Sequence, residues 1–154
     1  FANKQSDIKV VLCRYGNVLE STGSVIPFFK GLLEKGETSL PITDERMTRF
    51  LLTLDEAVEL IDWAYMHGES HGKIVIPNIK ALKVTDIAKS LGRSYGHKDI
   101  KLKYIGVRPG EKLHEAMISE TESFRSKWYE CTYNDQSLME SEETDSFLKV
   151  SKVI

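Results

Sequence analysis

Residues 48–66 read TRFLLTLDEAVELIDWAYM, and this stretch decides the fold class. Thr48 to Leu52 form a short apolar run of strand character, and Thr53 follows it directly. Thr53-x-x-Glu56 is a capping-box pattern, in which the threonine hydroxyl accepts the third amide of a helix and the glutamate reaches back to the capping residue. Leu54, Ala57, Val58, Ile61, Ala64 and Tyr65 then recur at helical spacing, with Glu56, Glu59 and Asp62 on the other face. That spacing predicts an amphipathic helix ending at His67-Gly68. A strand feeding straight into a helix is the repeating unit of an α/β protein.

Working outward, the same alternation continues on both sides. Ile8 to Cys13 is rich in β-branched residues and reads as a buried strand whose neighbours lie upstream. Val25 to Leu33 reads as a helix, with Pro27 tolerable only in its first turn and Gly36 as its stop. Pro41, Thr43 and Asp44 suggest a turn. Gly72 to Ile76 reads as a strand stopped by Pro77, and Val84, Ile87, Ala88 and Leu91 predict a second amphipathic helix ending near Gly92. Leu102 to Val107 alternates as a strand, Arg108-Pro109-Gly110 is a turn, and Glu111 to Ile118 is a short helix. Trp128 to Tyr133 reads as a last strand, and residues 134–154, polar and acidic, as a mobile tail.

Composition narrows the function classes. The 154 residues carry 21 Lys and Arg against 23 Asp and Glu, a net charge of -2. This balance argues against binding driven by nucleic-acid or anionic-membrane charge. No apolar run approaches the roughly 18 residues of a spanning helix, and the N-terminus has neither signal- nor transit-peptide character. A soluble, cytoplasmic protein without a nucleic-acid or membrane partner is therefore expected. Cys13 and Cys131 make no metal-type pair and read as unreactive core thiols. His67 and His71 stand four apart, but glycines put them in a turn without a third ligand, so no metal site is expected. Trp63 and Trp128 read as packing residues. No G-x-G-x-x-G, Walker loop, G-x-S-x-G, H-E-x-x-H or Tyr-x-x-x-Lys occurs, so no residue is assigned a catalytic role.

Three polar clusters carry chemical information. Arg14-Tyr15-Gly16-Asn17-Val18 follows the first strand, where open α/β sheets place their ligands, and Thr22-Gly23-Ser24 leads into a helix whose first amides suit a phosphate or hydroxyl. An ordinary turn explains the same residues. Arg46 and Arg49 stand three apart in PITDERMTRF, and a guanidinium fork fits a diphosphate. Surface pairing with Asp44 and Glu45 is the competing explanation. In GVRPGEKLHE, Pro109-Gly110 presents Arg108 and Glu111 from a tight turn, suited to phosphate and hydroxyl groups. A helix start with Glu111 against the dipole fits equally.

Taken in order, RYGNV with GSVIPFF, PITDERMTRFLLTLDEAV, KVTDIAKSL and IGVRPGEKLHEAMIS resemble the C-terminal half of extended short-chain dehydrogenase/reductases acting on nucleotide sugars, over about residues 8–123. Within that group they are similar to the inverting UDP-N-acetylglucosamine 4,6-dehydratases of polysaccharide and glycan biosynthesis. The resemblance implies an α/β fold: the last sheet strands of a Rossmann-type enzyme plus a smaller α/β substrate-binding region over residues 1–123, after which the residues themselves suggest a terminal strand within 124–133. It implies NADP, with NAD as the alternative, along Val18, Leu19, Glu20, Ser21 and Thr22. It implies a UDP-sugar held by Asn17, Val25, Thr43, Arg49, Arg108 and Glu111. Glu20 departs from the family pattern, which has a small residue there. The implied reaction oxidises C4 of the hexose, loses water across C5–C6 and returns hydride to C6 with inversion at C5. The motifs for that chemistry precede the matched region in the family, so this chain alone is expected to be a substrate-holding portion without turnover, and the full-length enzyme a homo-oligomer. A UDP-hexose 4-epimerase and a non-catalytic nucleotide-sugar-binding fragment are the alternatives.

Overall fold

A computed structural model describes residues 8–67, 72–118 and 138–154. The elements run β1 (Leu12–Cys13), β2 (Asn17–Val18), α1 (Val25–Glu34), β3 (Ser39–Ile42), β4 (Thr48–Leu52), α2 (Leu54–Met66), β5 (Ile74–Val75), β6 (Ala81–Lys83), α3 (Val84–Ser94), β7 (Lys101–Tyr104) and α4 (Ser141–Val150). Among the described residues they form three small sheets. β1 pairs with β5 in parallel, β3 pairs with β7 in parallel, and β4 lies between β2 in parallel and β6 antiparallel. The α/β class expected from the sequence is the class observed.

Local sequence explains the elements that position the site. Thr53 accepts the Glu56 amide and the Glu56 carboxylate accepts the Thr53 amide at 2.6 Å, so the capping box forms as read. The main core joins Ile26, Phe29 and Leu33 of α1 to Leu40 and Ile42 of β3, and to Val84, Ile87, Ala88 and Leu91 of α3. Every apolar position predicted for α3 is buried. Gly92 on α3 meets Ile100 closely: a Cβ there would lie 2.7 Å from the Ile100 Cβ.

Several expectations are corrected. The stripe predicted for α2 divides: Ala57 and Ala64 are buried, joined by Leu60 from outside the predicted stripe, whereas Leu54, Val58, Ile61 and Tyr65 are exposed. The first strand is shorter than read and is not buried throughout, since Ile8 and Leu12 are exposed. Pro41, read as part of a turn, lies in β3, and the turn starts at Asp44. The short strand β6 was not anticipated. The helix expected over Glu111–Ile118 does not form. The Leu113 carbonyl, which a helix would offer to Met117, accepts instead from the Thr48 amide at 3.1 Å and from Arg49 Nη1 at 3.3 Å. The structureless tail is corrected over its described part. α4 is capped by Glu140 and Glu143, and it packs Leu148 and Thr144 against the core beside α3. Arg93 of α3 pairs with Asp145 of α4, and Lys80 with Glu143. The strand read at Trp128–Tyr133, with Cys131 and His71, lies outside the described residues.

Candidate functional site

One cavity of about 650 Å³ opens between β2, the start of α1, β4 and the 105–111 loop. Its walls combine elements distant in sequence. β4 pairs with β2 through Asn17 opposite Leu51 and Val18 opposite Leu52, which brings the loop after β1 beside the MTRF segment. Close approach is possible because position 16 is glycine: a Cβ there would lie 2.7 Å from the Phe50 Cβ. Arg14 Nη1 donates to the Met117 carbonyl at 2.8 Å and ties the same loop to the 111–118 segment.

Six positions expected to hold a substrate, Asn17, Val25, Thr43, Arg49, Arg108 and Glu111, all line this cavity. Of the five expected along a cofactor, Val18 and Leu19 line it, and Glu20, Ser21 and Thr22 lie outside its lining. Glu20 has a φ of 57°, in the left-handed region that favours glycine, and its carboxylate pairs with Lys30. That pairing accommodates the unusual carboxylate away from the cavity. The part of this stretch that reaches the cavity, Val18 and Leu19, is apolar.

The charges divide in an informative way. Arg46 turns out of the site. Its Nε and Nη2 reach the Asp44 carboxylate at 2.9 and 2.8 Å, and this hydrogen bonding holds the Asp44 carboxyl at about 2. Surface pairing is thus the outcome for Arg46, while Arg49 reaches the cavity. Arg49 Nη1 donates to the Thr48 carbonyl at 2.7 Å, and its side chain lies within 3.8 Å of Glu111 and 3.7 Å of Glu115. Arg108 is exposed at the cavity mouth, and its amide meets the Glu111 carboxylate at 3.3 Å. Gly106 and Gly110, at φ 84° and 82°, give this loop its shape. Two guanidinium groups and one carboxylate face the cavity, so an anion bearing hydroxyl groups suits it.

Sequence reasoning missed some site residues. Ser24 lines the cavity at the α1 N-terminus, and its Oγ is buried without a hydrogen-bond partner. Thr48 Oγ1 and His114 Nδ1 share a hydrogen bond of 2.8 Å that fixes the loop behind the cavity. The i, i+4 pair Glu111 and Glu115 was the available signal for a second carboxylate near Arg49. Cys13 is half-buried, and burial pushes its thiol up, as expected of an unreactive thiol. Trp63 packs with Leu60, Ala64 and Val75 and stacks on His67 at 4.1 Å. Among the described residues no group of three His, Cys, Asp or Glu stands together, and no helix is long and apolar enough to cross a membrane.

Comparison with known proteins adds a second line. A family profile described as "Polysaccharide biosynthesis protein" matches residues 1–137. A UDP-N-acetylglucosamine 4,6-dehydratase (inverting) of Campylobacter jejuni is 46% identical over 133 residues, which is 85% of this chain and 37% of the relative. A UDP-glucose 4-epimerase of Rickettsia canadensis is 38% identical over 128 residues, 82% of this chain and 37% of the relative. The solved structure of Pen from Bacillus thuringiensis aligns with a TM-score of 0.74 at 24% identity, over 92% of this chain and 50% of that one. DesIV, a dTDP-glucose 4,6-dehydratase from Streptomyces venezuelae solved with NAD and TYD bound, aligns with a TM-score of 0.59 at 21% identity, over 69% of this chain and 34% of that one. These alignments agree with the Rossmann-type α/β fold, and the chain spans little more than a third of the length of the two curated relatives.

Proposed function

The chain belongs to the polysaccharide biosynthesis protein family, and from that premise we propose that it is the substrate-holding part of a nucleotide-sugar enzyme, a UDP-N-acetylglucosamine 4,6-dehydratase. The observation that carries this reading is the convergence of residues 17, 25, 43, 49, 108 and 111 on one cavity. Arg108 and Arg49 take the diphosphate, as planar guanidinium groups suit its paired oxygens. Glu111 accepts hydrogen bonds from sugar hydroxyls. Asn17 and Thr43 offer further polar contacts, and Val25 forms the apolar floor. The first amides of α1, with the unpartnered Ser24 Oγ beside them, complete the polar end of the cavity.

A nicotinamide cofactor, NADP or NAD, supplies the hydride acceptor and donor in this reading. Val18 and Leu19 form its apolar wall in this reading, and the chain's span of 37% of the relative's length leaves the remaining groups to the rest of the enzyme. The isolated chain therefore binds a UDP-sugar without converting it. Calorimetry of the 154-residue chain with UDP-N-acetylglucosamine tests the reading. Saturable heat that UDP competes away is expected, and Arg108→Ala is expected to weaken binding about tenfold. A flat titration, or binding indifferent to UDP, overturns it.

The identity to a UDP-glucose 4-epimerase supports a second reading, C4 epimerisation on the same scaffold. The protein that carries this segment within its whole length distinguishes the two by NMR of its product. A 4-keto-6-deoxy sugar supports the dehydratase, and a C4 epimer supports the epimerase.

A further inference from the structure

Arg49 is engaged on all three guanidinium nitrogens. Nη1 donates to the Thr48 carbonyl at 2.7 Å and the Leu113 carbonyl at 3.3 Å. Nη2 stands 3.8 Å from Glu111 Oε1, and Nε stands 3.7 Å from Glu115 Oε1. The two carboxylate separations are those of ion pairs and too long for hydrogen bonds, so the N–H groups of Nε and Nη2 are not used up. The carboxylates differ in place. Glu111 lines the cavity together with Arg49, and Glu115 does not. One therefore stands where a ligand anion has to come, and the other stands behind the guanidinium.

A side chain only 15% exposed with one counter-charge behind it keeps its position when the charge in front is exchanged. Without the rear carboxylate, Glu111 is the sole counter-charge left to Arg49 among the described residues and competes harder with an arriving diphosphate. We propose that Glu115 is a positioning residue, which holds Arg49 against the 111–115 loop so that Glu111 can yield its place to the diphosphate of the ligand. This rests on the nucleotide-sugar reading for the identity of the anion, and on geometry alone for the clamp.

The test uses the 154-residue chain with UDP and uridine as probes, one with the diphosphate and one without. In the ligand-free chain the carboxylate beside Nε repels hydroxide, so Glu115→Gln is expected to speed base-catalysed solvent exchange of the Arg49 Nε proton, read by NMR, by more than Glu111→Gln does. In titrations, Glu115→Gln is expected to lower UDP affinity about three- to tenfold while uridine affinity stays the same. In an Arg49→Gln background the same substitution is expected to change neither. Glu115→Asp keeps the charge and is expected to restore part of the Nε protection, which separates loss of charge from loss of fold. Nε exchange that ignores Glu115, equal losses for UDP and uridine, or a UDP loss that persists without Arg49 each overturns the proposal. If the parent chain binds neither probe, the nucleotide-sugar reading fails, and Nε exchange still decides whether Glu115 holds Arg49.

Discussion

A methyl group at position 16 would lie 2.7 Å from the Phe50 Cβ, so the contact between the first loop and β4 depends on a missing side chain. Gly16→Ala is expected to destabilise the fold by about 1–3 kcal/mol through overpacking, measured by denaturant unfolding. It should also weaken UDP-sugar binding, because Asn17 and Val18 follow immediately. Asp44 offers a cleaner electrostatic check. Its hydrogen bonds from Arg46 place it at about 2, below its ordinary value of 3.8. A depressed carboxyl value means that the pair's contribution is complete above the ordinary value and is lost as pH falls through about 2. An NMR titration of the Asp44 carboxyl should find this, and Arg46→Ala should return it toward the usual carboxylate range. An Asp44 that titrates normally in the parent chain contradicts the pairing.

At the scale of elements, α2 separates what sequence pattern reveals from what it hides. The capping box and helix length were legible, because both depend on residues within a turn of each other. Which of two adjacent apolar stripes faces inward was not, because that choice depends on the packing of Leu60 and Ala64 against Val75. Leu60→Ala is expected to cost about 2–5 kcal/mol. Val58→Lys and Ile61→Lys should each stay within about 0.5 kcal/mol, since both positions are about half exposed. The reverse ranking in thermal unfolding contradicts the assignment. α4 gives a parallel lesson. Its acidic composition concealed Leu148, which is fully buried, so Leu148→Ala should cost about as much as Leu60→Ala. The missing helix after Arg108 has the same kind of cause: a long-range partner, Thr48 with Arg49, takes the carbonyl that local propensity assigned to a helix.

At the scale of the molecule, the candidate site was more legible than the fold's details. Asn17, Arg49, Arg108 and Glu111 stand in short polar motifs readable from the residues, Val25 and Thr43 follow from the family resemblance alone, and all six positions expected to hold a substrate line the cavity. The pairing of β4 with β2 that gathers them rests on long-range contacts that no local pattern shows, and residue chemistry alone left both arginines open to surface pairing, where only the resemblance singled out Arg49. The central claim is that this cavity holds a UDP-sugar with the diphosphate between Arg108 and Arg49 and the hydroxyls at Glu111. A crystal structure of the 154-residue chain soaked with UDP-N-acetylglucosamine tests it most directly. The ligand is expected in this cavity, with its diphosphate within hydrogen-bond reach of Arg108 and Arg49 and Glu111 drawn away from Arg49. A ligand bound elsewhere on the chain, or a diphosphate that touches neither arginine, contradicts it.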